Sequence, residues 1–288
     1  KGASKGEGLG NKFLSHIRQV DAVIHVLRCF DDKNITHVNN QINPLDDLEI
    51  VETELMLADL DMLEKIKLSN KKKLNITDKE NKSLLEVIDK AIDLLKKGEP
   101  VNISNFTNKE FNEINKLNLI TSKPIIYVCN VDENSIINGN EYSNEIYLYA
   151  EKYKRESIII SAEIESQISL IKELDEKKLF LEELNISESG LTRIIKSGYS
   201  LLNLITFFTS GPKETKAWNI TNGTNASRAA GKIHTDFERG FIRAETIAYS
   251  DYINCNGELE SKNQGKMRSE GKDYIVQDGD VITFRFNV

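Results

Sequence analysis

The chain has 288 residues, 39% hydrophobic and 29% charged, with a formal net charge of -7. That length suits two or three domains with at least one buried core, and the acidic balance removes bulk electrostatics as a driver of nucleic-acid binding. No run approaches the roughly 18 uninterrupted apolar residues of a membrane span, no apolar h-region marks a secretory signal, and Cys29, Cys129 and Cys255 form neither a CxxC pair nor a zinc spacing. A cytoplasmic protein with reduced thiols, no membrane contact and no metal ligands among these residues is expected.

Taken in chain order, the glycine-rich opening gives way to LSHIRQV (14–20), which reads as a helix. AVIHVLRCF (22–30) is a short β-branched apolar run of the kind that forms buried parallel strands. Next, Leu48, Val51, Leu55, Ala58, Met62 and Ile66 step by three or four residues, as an apolar helical stripe does. Leu84 or Leu85, Ile88, Ile92 and Leu95 repeat the pattern beyond a lysine-rich polar segment, 69–82, which predicts an antiparallel helical hairpin with an exposed tip. A further helix starts at Thr107, where Glu110 completes a capping box. PIIYVC (124–129) and SIII (157–160) are two more buried strands, with a helix over 145–155 between them. Strands alternating with helices define an α/β domain with a mostly parallel sheet.

From about residue 203 the pattern changes to short β segments at 216–221, 242–249, 273–277 and 281–287, with one helix over 227–232 and a turn at Asp278-Gly279-Asp280. This predicts a separate β-rich domain of about 80 residues. Residues 204–288 are net neutral, so the acidic surplus lies in the first 203 residues.

Ligands of open parallel sheets sit at the carboxyl ends of the strands, which singles out Asn130-Val131-Asp132-Glu133 and Ser161-Ala162-Glu163. An asparagine amide offers a donor and an acceptor, to a purine base or to the neighbouring loop, and a Ser-Ala turn can present backbone N–H groups. Strand-end asparagine is also a common turn former. The two motifs together, in this order, point to a GTPase-type base pocket.

Asn130 and Glu133 stand as N-x-x-E where guanine-reading proteins carry Asn-Lys-x-Asp, with Val131 in place of the lysine. In this the chain resembles the YchF (Obg-like ATPase) family, in which the motif is N-x-x-E and ATP is preferred. KGASKGEGLGNKFL (1–14) is similar to that family's segment after switch II. RCF (28–30) is similar to the segment whose aromatic packs near adenine, which makes Phe30 a candidate base contact. NPLDD (43–47) resembles the entry to the family's coiled-coil insert. AAGKIHTDFERGFIRAE (229–245) and EGKDYIVQDGDVITFRFNV (270–288) resemble its TGS domain, a β-grasp module.

The resemblance implies a partial P-loop G-type α/β domain (1–46 and 120–203), a helical hairpin insert (47–119) and a C-terminal TGS domain (204–288). It implies ATP hydrolysis with Mg²⁺, and K⁺ as a further ion, by a monomeric switch that works with the ribosome and its RNA. Phe30, Asn130, Val131, Glu133, Ser161 and Ala162 are its candidate nucleotide residues, and His37 is its candidate for orienting the attacking water. A loop histidine also reads as a solvated side chain.

The phosphate cradle G-x-x-x-x-G-K-[ST] is absent. Gly6, Gly8 and Gly10 with Lys12 have another spacing, and Phe13 stands where the Mg²⁺-binding hydroxyl would be. The expectation is that the chain lacks an N-terminal segment carrying that cradle and is inactive alone. A non-catalytic ribosome- or RNA-binding module is the rival reading, and a GTP-binding protein is another. The lysines Lys71, Lys72 and Lys73, and the set Arg239, Arg243, Lys266, Arg268 and Lys272, are candidate RNA contacts or simply solvated surface.

Overall fold

The computed structural model describes residues 9–32, 35, 42–73, 79–101 and 105–287. The chain divides into two compact units, residues 1–196 and 197–288.

The first unit is built on three parallel strands in the order β1 (Val23–Arg28), β2 (Ile125–Asn130) and β3 (Glu156–Ile160). In register, Arg28 lies beside Asn130, and Asn130 beside Ile160, so the carboxyl ends of all three strands are level. The central strand β2, IIYVCN, is buried along all but its last residue, as an uninterrupted apolar run predicts for a strand covered on both faces. Helix α1 (Leu9–Gln19) precedes β1, and among the described residues three α-helices lie between β1 and β2: α2 (Pro44–Lys73), α3 (Lys79–Lys96) and α4 (Asn108–Lys116). Helix α5 (Glu141–Lys152) then joins β2 to β3.

Helices α2 and α3 form the predicted hairpin. Leu63 meets Val87, Ile88, Ala91, Ile92 and Leu95 in one cluster, and the ion pairs Lys67–Asp89 and Lys96–Glu64 run antiparallel across it. Both helices extend into the polar segment expected to separate them. The capping box is present: Glu110 N donates to Thr107 Oγ1, and Thr107 N donates to the Glu110 carboxylate at 2.7 Å.

The buried stripe of α2 corrects the sequence reading. Val51 is 42% exposed, and the buried row runs Leu48, Glu52, Leu55, Asp59, Leu63, with two carboxylates among the apolar side chains. Asp59 is fully buried and fully used. It accepts from Arg18 Nη1 at 2.7 Å, Ile120 N at 3.1 Å, and Thr121 N and Oγ1 at 2.8 Å each. Glu52 accepts from Tyr127 Oη at 2.5 Å and Tyr149 Oη at 3.0 Å, and Arg155 donates to both Glu52 and Tyr127. These two carboxylates fix the root of the hairpin to β2, α5 and the segment leading into β2, because a buried charge is tolerated only when its hydrogen bonds are made.

Helices α6 (Ala162–Leu170), α7 (Leu174–Glu183) and α8 (Gly190–Leu201) follow β3. The second unit holds a five-stranded mixed sheet, β5-β4-β8-β6-β7, from β4 (Leu204–Ser210), β5 (Thr215–Thr221), β6 (Phe241–Ala248), β7 (Arg268–Glu270) and β8 (Asp280–Phe286). Strands β4 and β8 are parallel and the other pairs antiparallel. On one face lies α9 (Ala226–Ile233), whose Ala226, Ala229 and Ala230 meet Phe207, Ile220, Ala244, Ile282 and Phe284. This is the β-grasp arrangement. Gly240 is obligatory, since a Cβ there would come within 1.9 Å of the Asn287 carbonyl oxygen.

This unit departs from the sequence reading in two ways. Residues 273–277 form no strand, only a single bridge between Ile275 and Asn225. There Tyr274 Oη donates to Asp280 at 2.7 Å, as does Gln277 N at 2.9 Å, so the segment turns instead of pairing. Nor does the sequence reading contain strands β4 and β7 or the short helices Thr235–Arg239, Tyr249–Asn254 and Glu258–Asn263.

Candidate functional site

The level carboxyl ends of β1, β2 and β3 bring most of the sequence-predicted residues together. At the end of β2, Asn130 directs its side-chain oxygen to the backbone N–H of Ala162, at 2.9 Å. The asparagine thereby ties two strand ends, and its amide nitrogen remains on the other side of the same group. Ala162 opens α6, and Ser161 is its N-cap without a capping hydrogen bond. The Ser161 hydroxyl is buried and has no partner among the described residues. Such an orphan costs about 1–3 kcal/mol unless a ligand or water satisfies it.

Val131 is buried and its N–H donates to Ile160 O at 2.8 Å. What Val131 can offer a ligand is therefore confined to its carbonyl, which narrows the sequence reading of a backbone donor and acceptor there. Glu133 begins a short 3-10 turn, Glu133–Ser135, capped by Asp132. Its carboxylate accepts from Gln167 Nε2 of α6 at 3.0 Å, a partner that no motif spacing announced.

At the end of β1, Cys29 N donates to Asn130 O at 2.8 Å, and Asn140 Nδ2 donates to Cys29 O at 2.7 Å. Phe30 follows, half-buried, with the Arg28 guanidinium 5.0 Å from its ring centroid. Cys29 and Cys129 are both buried, and the Cys29 thiol is pushed well up by its hydrogen bond to Cys129 and then by burial, which makes it a poor nucleophile. Within the sheet, in the paired strands β1 and β2, His25 is held below its ordinary value of 6.5, chiefly by burial, and burial pushes the Tyr127 hydroxyl up. His37 lies outside the described residues, as do the side chains of Lys71, Lys72 and Lys73.

In the second unit, three of the five candidate RNA-facing cations have carboxylate partners. Arg243 pairs with Glu245 at 2.9 Å, Lys266 with Asp251 at 3.3 Å, and Arg268 with Asp280 at 3.5 Å. That pairing favours the reading of solvated surface. No helix among the described residues is long and apolar enough to cross a membrane.

A parallel sheet whose second and third strand ends are tied by Asn130 and Ala162, with a helical hairpin between its first two strands and a β-grasp unit after it, is an α/β protein of the G-type class. A family model described as "YchF-GTPase_C: Protein of unknown function (DUF933)" matches residues 204–287. The chain is 50% identical to the "Ribosome-binding ATPase YchF" of Bacillus subtilis, over 100% of this chain and 79% of the relative. It is 48% identical to the protein of the same name from Haemophilus influenzae, over 100% of this chain and 78% of the relative. Its fold matches a solved chain titled "Structure of the Schizosaccharomyces pombe YchF GTPase" with a TM-score of 0.83 and 34% identity, covering 98% of this chain and 76% of that one. The chain belongs to the YchF family.

Proposed function

We propose that this protein is a ribosome-associated ATPase that acts as a regulatory switch in translation, and that it holds the adenine at the carboxyl ends of β1, β2 and β3. The observation that carries the base pocket is the 2.9 Å bond from Ala162 N to Asn130 Oδ1, beside the unpartnered Ser161 hydroxyl. Asn130 presents the 161–162 turn, Phe30 supplies a ring for stacking, and the Val131 carbonyl is an acceptor for an exocyclic amine such as adenine's. Glu133 is engaged by Gln167, which counts against a carboxylate free to read guanine's paired donors and so supports ATP over GTP.

Mg²⁺ and K⁺ are carried as the ions of the reaction on the family resemblance. His37 is carried as the residue that orients the attacking water, on the family resemblance. The boundaries 1–46 with 120–203, 47–119 and 204–288 are proposed as nucleotide domain, insert and TGS domain, in a monomer. These 288 residues, without G-x-x-x-x-G-K-[ST], are not expected to turn over ATP by themselves.

The test is calorimetric titration of the full-length protein with ATP and GTP. ATP binds more tightly, and Asn130→Ala weakens it; an unchanged affinity sinks the assignment of the pocket. The alternative, a ribosome- or RNA-binding module without catalysis, predicts co-sedimentation with ribosomes that ATP does not alter.

A further inference from the structure

One side chain at the proposed pocket does more than its position in a strand requires. Arg28 is the last residue of β1, and its guanidinium gathers the loop that follows. Nε donates to Phe30 O at 3.2 Å, Nη2 to Asp32 O at 3.1 Å and Nη1 to Ile35 O at 3.1 Å, while its carbon lies 5.0 Å from the Phe30 ring centroid. A chain leaving a strand end ordinarily gives such carbonyls to water. Here a single cation takes three of them and packs on the aromatic between them.

We infer that Arg28 is the positioning residue of the nucleotide-base pocket, gathering the carbonyls of Phe30, Asp32 and Ile35 around its guanidinium so that Phe30 is fixed for stacking on the base. The inference rests on the adenine-pocket reading above. Only a planar fork with five donors serves three diverging carbonyls and a ring face together; a lysine ammonium has three donors at one point and no plane to stack. The loop is also tied on its far side, through Asn140 Nδ2 to Cys29 O at 2.7 Å and Tyr142 Oη to Asp31 at 3.2 Å. The first of these holds the backbone at 29, the second reaches only the Asp31 side chain, and Ile35 N closes a turn on Asp32 O at 3.3 Å, so the Phe30 carbonyl and ring are positioned by Arg28. Loosening it lowers the fraction of molecules with a competent pocket, and apparent affinity falls by that fraction.

The experiment is a double-mutant cycle on the full-length protein, with ATP affinity read by calorimetry and folding by melting temperature. Arg28→Lys and Phe30→Leu each weaken ATP by about tenfold, a competent fraction of about one in ten. The pair together is no weaker than Phe30→Leu alone, because both act through one contact. Additive losses, or an Arg28→Lys protein that binds ATP normally while Phe30→Leu does not, overturn the inference. If Phe30→Leu binds normally while Asn130→Ala is weakened, the pocket stands and the role of Arg28 in it falls. If Asn130→Ala also binds normally, the pocket reading itself has failed. Should Arg28→Lys melt early, photolabelling of the unaltered protein with 8-azido-ATP decides the matter. Attachment within residues 28–35 supports the inference, and attachment wholly elsewhere overturns it.

Discussion

Each unit is held internally by different means. In the first, the long helix α2 buries Glu52 and Asp59 along the row that faces the sheet and the segment before β2. In the second, the facing surfaces are three alanines of α9 against Phe207, Ile282 and Phe284, and the ion pairs, such as Arg243–Glu245 and Glu245–Arg285, lie on arginines that are half exposed. The difference teaches where charge is used for geometry. A helix packed by apolar contact can slide or roll at modest cost, whereas a carboxylate with several fixed donors has one position. The root of the hairpin is thereby specified at two points, whereas the β-grasp sheet has, among its described residues, a single buried carboxylate, Asp280, held by Tyr274 and Gln277 N at the start of β8, and is otherwise packed by apolar contact.

Mutations can break that contrast. Asp59→Ala should have the largest effect, about 3–5 kcal/mol, because it removes the counter-charge of Arg18 and leaves two buried backbone N–H groups without a partner. Far-UV circular dichroism under denaturant should show it. Phe207→Ala should cost about 3 kcal/mol through the cavity left in the second unit's core. Trp218, the only tryptophan in the chain, pairs with Phe207 across β4 and β5 and reports that transition by fluorescence. If Asp59→Ala proves milder than Phe207→Ala, the contrast between the units is wrong.

Acid sharpens it further. His25 is held below 6.5 by burial, so as the pH falls beneath that value the unfolded chain takes up its proton first. Stability of the first unit is therefore lost through the window below pH 6.5 and is unaffected by this group above it. His25→Gln should flatten that part of the stability profile. The smallest effect belongs to the surface of the second unit. Glu245→Ala removes pairs to Arg243 and Arg285, both half exposed, and should cost no more than about 1 kcal/mol, a loss that added salt abolishes.

Much of this was legible in the residues. IIYVC could hardly be other than a buried strand, and Thr107 with Glu110 announced a helix start that the structure reproduces bond for bond. Glu52 and Asp59 were not legible, because a periodicity count ranks side chains by hydrophobicity. The donors that make their burial tolerable come from residues such as Thr121 and Tyr127, more than sixty positions away. Strand β4 was missed because Thr206, Thr209 and Ser210 interrupt its apolar pattern. At the candidate site, Asn130 and Ala162 were readable as neighbours, but whether the amide faced a base or the adjoining loop was decided only by the 2.9 Å bond. Gln167 on Glu133 and Arg28 on its three carbonyls left no mark in motif spacing.

The burial of every cysteine gives the molecule a set of chemical clocks. Cys29 and Cys129 lie at the carboxyl end of the parallel sheet, and Cys255 lies in the second unit. A thiol with no solvent access reacts with a maleimide only during an opening of its surroundings. Labelling rates at the first pair therefore count how often the strand ends part, and the rate at Cys255 counts the same for its own unit. A ligand seated across those strand ends would slow the first two clocks and leave the third running.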